Sequence, residues 1–166
     1  MSNLFEERNG AEFSDCGKYR YALWRIWDET KPFVMFIGLN PSTANKTEND
    51  PTIKSVCRIA NNNGYGGIYM MNCFPIVSAD PSILSDYDKS VYDQHQFIVN
   101  NRKLIETREK CKDVVFAWGN FKIVRETFRE LELTKMFPNA MCLHKNKNGS
   151  PKHPLYCKSE TQFTIF

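Results

Sequence analysis

Apolar residues fall in short runs, separated by polar segments that carry glycine and proline. Phe33 to Leu39, FVMFIGL, is continuously apolar, as in a strand covered on both faces. Gly67 to Phe74, GIYMMNCF, and Asp113 to Trp118, DVVFAW, repeat that pattern, and Asn139 to His144 supplies a fourth short strand. Lys18 to Asp28, KYRYALWRIWD, is rich in aromatic and branched residues. It reads as a strand, with a short helix as the alternative.

Between these runs the apolar spacing becomes helical. Asp50-Pro51 forms an N-cap with proline at the first helical position; Ile53, Val56, Cys57 and Ala60 follow, and Gly64 ends the helix. A long helix is predicted over about Ser90 to Lys110, with Phe97, Ile98, Leu104 and Ile105 on its apolar face. A further helix after Gly119 presents Val124, Phe128 and Leu131. Helices alternating with apolar strands imply parallel βαβ units. The expected fold is a single α/β domain over residues 1–166. It would be a three-layer α/β/α sandwich on a mostly parallel four-stranded sheet, with the N-terminal strand as an antiparallel edge.

Composition narrows the class. A chain of 166 residues, 42% hydrophobic and 25% charged, matches one globular domain that needs no staples. No apolar run is long enough to span a bilayer, and MSNLFEERNG lacks the features of a secretory signal, so a cytoplasmic protein without membrane contacts is expected. The six cysteines show no CxxC pair and no metal-ligand spacing. They read as reduced thiols, and neither a metal nor another cofactor is expected. The net charge of +3 is mild, but HKNKNGSPKHPLYCK, from His144 to Lys158, holds four lysines, two histidines and no acid. Such a loop suits a phosphate or a nucleic-acid backbone, and equally a solvated surface.

In an open parallel sheet, ligands bind beyond the carboxyl ends of the strands. The first of these ends delivers Asn40, Pro41 and Ser42; the second delivers Asn72; the third delivers Trp118 and Gly119. The fourth releases the basic loop with His153. Each residue also has a bland role open to it. Asn40 can cap its own turn, Asn72 needs only one buried partner, Asn101 can be a satisfied core amide, and a histidine among lysines can be a surface group. Convergence at one sheet edge is what marks a site.

Taken as a set, YRYxLWRxWD, GLNPSTA, NDPT, GYGG, NCFP, WGN and GxPxHPLY resemble a bacterial and phage family of uncharacterised domains with LNPSTA and HPLY signatures. The resemblance runs from about Tyr19 to Tyr156. The motif order in turn resembles the uracil-DNA glycosylase superfamily. Gly38-Leu39-Asn40-Pro41 matches that superfamily's Gly-x-Asn-Pro turn, Asn72 matches its base-reading asparagine, and His153-Pro154 matches its final His-Pro loop.

That resemblance implies hydrolysis of an N-glycosidic bond in nucleic acid bearing a damaged or modified base. Asn40 would position the attacking water, and His153 would donate to charge developing on the leaving base. Asn72 would pair with the edge of an extruded base. The implied substrate-binding set is Leu39, Pro41, Ser42, Asn72, Phe74, Trp118, Gly119 and Tyr156, with Lys145, Lys147 and Lys152 as phosphate contacts. The chain departs from the glycosylases at Ser42 and in ending His-Pro-Leu-Tyr. It has no aromatic residue in the first motif, so stacking would fall to Phe74 or Trp118, and Leu155 is the candidate wedge. Two other functions fit the same residues: a non-catalytic nucleotide or nucleic-acid binder, and an enzyme acting on a small nucleotide-like metabolite.

Overall fold

The computed structural model describes residues 8–84 and 94–166. The described residues form seven strands and four α-helices. The strands are β1 (Asn9–Phe13), β2 (Arg20–Ile26), β3 (Phe33–Gly38), β4 (Gly67–Asn72), β5 (Asp113–Phe116), β6 (Met141–Cys142) and β7 (Thr164–Ile165). The helices are α1 (Pro51–Asn62), α2 (Gln94–Arg108), α3 (Ile123–Glu126) and α4 (Arg129–Met136). Among them no helix is long and apolar enough to cross a membrane.

All seven strands belong to one mixed sheet in the order β1-β2-β4-β3-β5-β6-β7. Strands β4, β3, β5 and β6 are parallel, and β1, β2 and β7 run antiparallel to their neighbours. The four predicted parallel strands are therefore present, but the sheet is larger than expected. Strand β2 is antiparallel as predicted, yet it is internal, because β1 covers its free edge. The sequence NGAEF carries no apolar alternation, and β7 has only two residues, so neither leaves a strand signature.

The continuous apolar run of β3 is explained by burial on both faces. Val34 and Phe36 join Ile53, Val56, Ile59 and Ala60 of α1 in one cluster. Met35 and Ile37 join Leu104 of α2, Val124 of α3 and Leu133 of α4 in another. Helix α1 begins as predicted: the Asp50 side chain accepts from Ile53 N at 2.9 Å, Pro51 is the first helical residue, and the chain leaves the helix at Asn63-Gly64.

Two helical faces differ from expectation. In α2, Leu104 is buried, but Ile98 and Ile105 are 56% and 55% exposed, and Asn100 and Thr107 are buried instead. Asn100 Nδ2 donates to the Asn72 carbonyl at 3.0 Å, so a polar bond to the end of β4 sets the rotation of this helix. Asn101, assigned to the core by its spacing, is half-buried and donates to Glu132 Oε1 at 2.8 Å. The first residues predicted for this helix, 90–93, lie outside the described residues. The expected helix after Gly119 is broken into α3 and α4 at Phe128, whose φ is +60°. Phe128 and Leu131 then face solvent, while Val124 and Leu133 pack inward.

Candidate functional site

Strand order dictates where a cavity forms. From β3 the chain crosses through α1 to β4 on one side, then returns through α2 to β5 on the other side of β3. The loops after β3 and β5 therefore diverge to opposite faces, leaving a crevice at the switch point. A cavity of about 520 Å³ lies at the strand ends, lined by residues of both loops and of the His153 loop. Asn40, Asn72 and His153 all line it, with Leu39, Ser42, Gly119, Leu155 and Tyr156.

Asn40 closes the turn after β3. Its Nδ2 donates to the carbonyls of Pro41, Ile76 and Ser78 at 3.1, 3.2 and 3.0 Å. The amide nitrogen is thus fully committed to holding residues 76–78 against the turn. Only Oδ1 is left for a ligand, and it can only accept. Pro41, expected at the site, is buried and absent from the cavity lining; its carbonyl also accepts from Ser78 N.

Asn72 ends β4 beside Gly38, its partner in the parallel register. It is 2% exposed, and its Nδ2 has no hydrogen-bond partner. A Cβ on Gly38 would fall 2.7 Å from Met70 Cε and 3.0 Å from Asn72 Oδ1, so glycine makes room for both side chains. A buried amide without a partner costs about 1–3 kcal/mol, a deficit that a ligand acceptor can remove.

His153 is half-buried, and its Nδ1 accepts from Leu155 N at 3.2 Å, capping the 3-10 turn Pro154–Tyr156. An accepting Nδ1 bears no proton, so the neutral ring carries its hydrogen on Nε2 as a donor. Burial pushes the imidazole pKa below its ordinary value, against the opposing charge of Asp50, and this favours the neutral donor form. Gly119 supports this loop. It adopts φ +80°, donates its N–H to Pro151 O at 2.9 Å, and would bring a Cβ within 3.3 Å of His153 Cβ.

Several expected contacts lie elsewhere. Trp118 is fully buried against Phe116 and Phe166, and Phe74 is in the same core cluster, so neither lines the cavity. The aromatic side chains that do line it are Phe121 and Tyr156. Lys145, Lys147 and Lys152 are absent from its lining; Lys145 Nζ instead donates to the Phe166 carbonyl at 2.8 Å. The helix behind Gly119 is α3, a single turn of four residues without a side-chain cap.

Other cavity residues escaped the sequence reading. Asp50 looked like a helix cap and is one, yet it also lines the cavity, as do Thr52, Asn120 and Asn146. Arg20 is the least expected, since it lies in a run that reads as an ordinary strand. It is 2% exposed and lines the cavity, and burial pushes its pKa down to about 10. A basic residue among YRYALW is a sequence signal for it, but one without direction.

The cysteines are free: Cys73, Cys111 and Cys142 are buried, Cys57 and Cys157 half-buried, and Cys16 exposed. Burial raises the Cys57 thiol to about 11 and those of Cys73 and Cys111 to about 12, so these thiols stay protonated at neutral pH.

No curated protein and no solved structure matches the chain. The family model described as Protein of unknown function (DUF1643) matches residues 20–155, which include every cavity residue named above except Tyr156, and the chain belongs to that family.

Proposed function

We propose that the cavity receives a nucleobase and that the protein hydrolyses the N-glycosidic bond of a damaged or modified base in nucleic acid. The observation that carries this reading is the meeting of Asn40, Asn72 and His153, from three separate strand ends, around one cavity. The proposal also takes the fold as a three-layer, uracil-DNA glycosylase-like sandwich; helices packed on opposite faces of β3 support it.

The roles follow from the hydrogen bonds each side chain has left. Asn40 Oδ1 accepts from the attacking water while Nδ2 stays on the turn carbonyls. Asn72 offers Nδ2 to a carbonyl on the base edge. His153 Nε2–H donates to the oxygen of the leaving base as negative charge develops there, an electrostatic contribution worth about 2.7–4 kcal/mol in comparable sites. Neither asparagine is a base, so water attack depends on positioning and on an oxocarbenium-like sugar. Phe121 and Tyr156 supply the aromatic surface that Phe74 and Trp118 do not.

The test is incubation with a panel of base-modified single- and double-stranded DNA, followed by assay for alkali-labile abasic sites and free base. Release by the native protein and its loss in Asn72→Ala supports the reading. A panel with no release at all removes the enzymatic claim.

The cavity lining holds none of the three lysines, and this favours a second reading, an enzyme or binder for a small nucleotide-like molecule. A polymer held through its backbone would draw on such cations. Protection from thermal unfolding by free nucleotides but not by oligonucleotides is the result expected under that reading.

A further inference from the structure

Strand β2 contains an irregularity that determines where Arg20 points. In its pairing with β1, Glu12 opposes Ala22 and Phe13 opposes Arg20, so the register shifts by one residue at Tyr21. Such a shift reverses the inward and outward alternation beyond it. Ala22 packs in the cluster on the α2 side of the sheet, and the Tyr21 hydroxyl donates to Gln96 of α2. Strict alternation would send Arg20 to the same side as Ala22. Instead its Nη1 donates at 3.0 Å to the carbonyl of Ala44, a residue of the opposite cluster, and Arg20 lines the switch-point cavity.

A comparison with Arg25, five residues along the same strand, shows what Arg20 lacks. Arg25 is also buried, but its guanidinium donates to the carbonyls of Gly10, Trp24, Asn45 and Glu48 and to Asn49 Oδ1. It is a saturated brace for the loop before α1. Arg20 makes the single bond to Ala44, and its Nε is buried without a partner. Among the described residues Arg20 has no ion pair. The nearby carboxylate of the cavity, Asp50, already spends an oxygen on Ile53 N. A buried guanidinium with unused donors is a strong site for a planar or tetrahedral oxyanion.

We propose that the cavity binds a nucleotide through its phosphate, with Arg20 as the residue that holds the phosphate and Asn72 on the base portion. This rests on the second reading above, in which the base site takes a small nucleotide-like molecule. It moves the phosphate contact from the lysines of the His144–Lys158 loop to a cation inside the cavity. The hydroxyls of Ser42 and Thr52, with Asn120 Nδ2 and Asn146 Oδ1, are left for the sugar and remaining oxygens; Asn120 Oδ1 accepts from Asn148 and Asn146 Nδ2 donates to Ser150 Oγ. A volume of about 520 Å³ lies within the range of about 300–1,000 Å³ typical of small-molecule sites. Arg20 is 2% exposed and lines the cavity, so a terminal phosphate that enters with the base can reach it more readily than the diester of a continuous strand.

The test is isothermal titration of the full chain with inorganic phosphate, nucleosides, the matching nucleoside 5′-monophosphates and a short oligonucleotide. Monophosphates should bind at least tenfold more tightly than nucleosides, and inorganic phosphate should compete with them. Arg20→Lys and Arg20→Met should remove that difference, read as the ratio of monophosphate to nucleoside affinity within each variant. Equal affinity of the native protein for nucleoside and monophosphate overturns the proposal, whether or not the variants fold. So does absence of monophosphate binding at millimolar concentration, or tighter binding of the oligonucleotide. Base release from modified DNA with no monophosphate binding would remove this proposal while sparing the glycosidic reading. Monophosphate binding without base release from any substrate would do the reverse.

Discussion

Replacing Asn40 by aspartate distinguishes a side chain that builds the site from one that only faces it. The substitution keeps the shape and Oδ1 but puts a carboxylate oxygen where Nδ2 now donates to three carbonyls, at 3.1, 3.2 and 3.0 Å. Each such bond contributes about 0.5–1.5 kcal/mol net. The amide has two N–H groups to share among these carbonyls, so losing them costs about 1–3 kcal/mol, and an anion facing three carbonyl oxygens adds repulsion. Asn40→Ala should lose about 2 kcal/mol, since it removes the donor without adding charge. Urea unfolding at neutral pH measures both, with an unchanged m-value confirming that the same transition is followed. The aspartate deficit should narrow at acid pH, where a protonated carboxyl regains one donor. Hydrogen exchange should report the release of residues 76–78, because Ser78 N donates to Pro41 O across the same turn. An Asn40→Asp protein within about 0.5 kcal/mol of the native one would refute the reasoning.

Three further outcomes follow from single side chains. His153 has a folded pKa depressed below 6.5 by burial, so its contribution is intact above that value and is lost as pH falls through the folded pKa; the native protein should lose stability on acidification faster than His153→Asn, by thermal unfolding across pH 5–8. Gly119→Ala places a side chain at φ +80° and 3.3 Å from His153 Cβ; it should cost about 1–2 kcal/mol by urea unfolding and shift the His153 imidazole resonances. Phe128→Gly should instead stabilise by about 1 kcal/mol, because Phe128 sits at φ +60° with a side chain 72% exposed.

The parallel core was legible because β3, β4 and β5 are apolar on both faces, a pattern few other structures produce. Helix α1 was legible through Asp50-Pro51, where local chemistry alone dictates the start. The α2 face was misread because the decisive contact is polar: Asn100 reaches the Asn72 carbonyl, and an apolar count cannot see it. The break at Phe128 was missed because nothing short of the tertiary structure holds a phenylalanine at positive φ. For the site, strand ends gave Asn40, Asn72 and the His153 loop their common location. They could not give Arg20, whose direction depends on a register shift in the pairing of β2 with β1. Nor could charge spacing show that Lys145 would turn to the Phe166 carbonyl.

Under the proposed function, a base enters the switch-point cavity and leaves with a hydrogen bond from His153 Nε2. A single-turnover assay of free-base release, on whichever modified substrate the native protein accepts, compares it with His153→Asp, which keeps an acceptor for Leu155 N but has no donor at pH 8. The rate should fall by about 10²–10³-fold. Release by His153→Asp at the native rate would rule out the donor role, and a native protein that releases no base from any substrate would rule out the reaction.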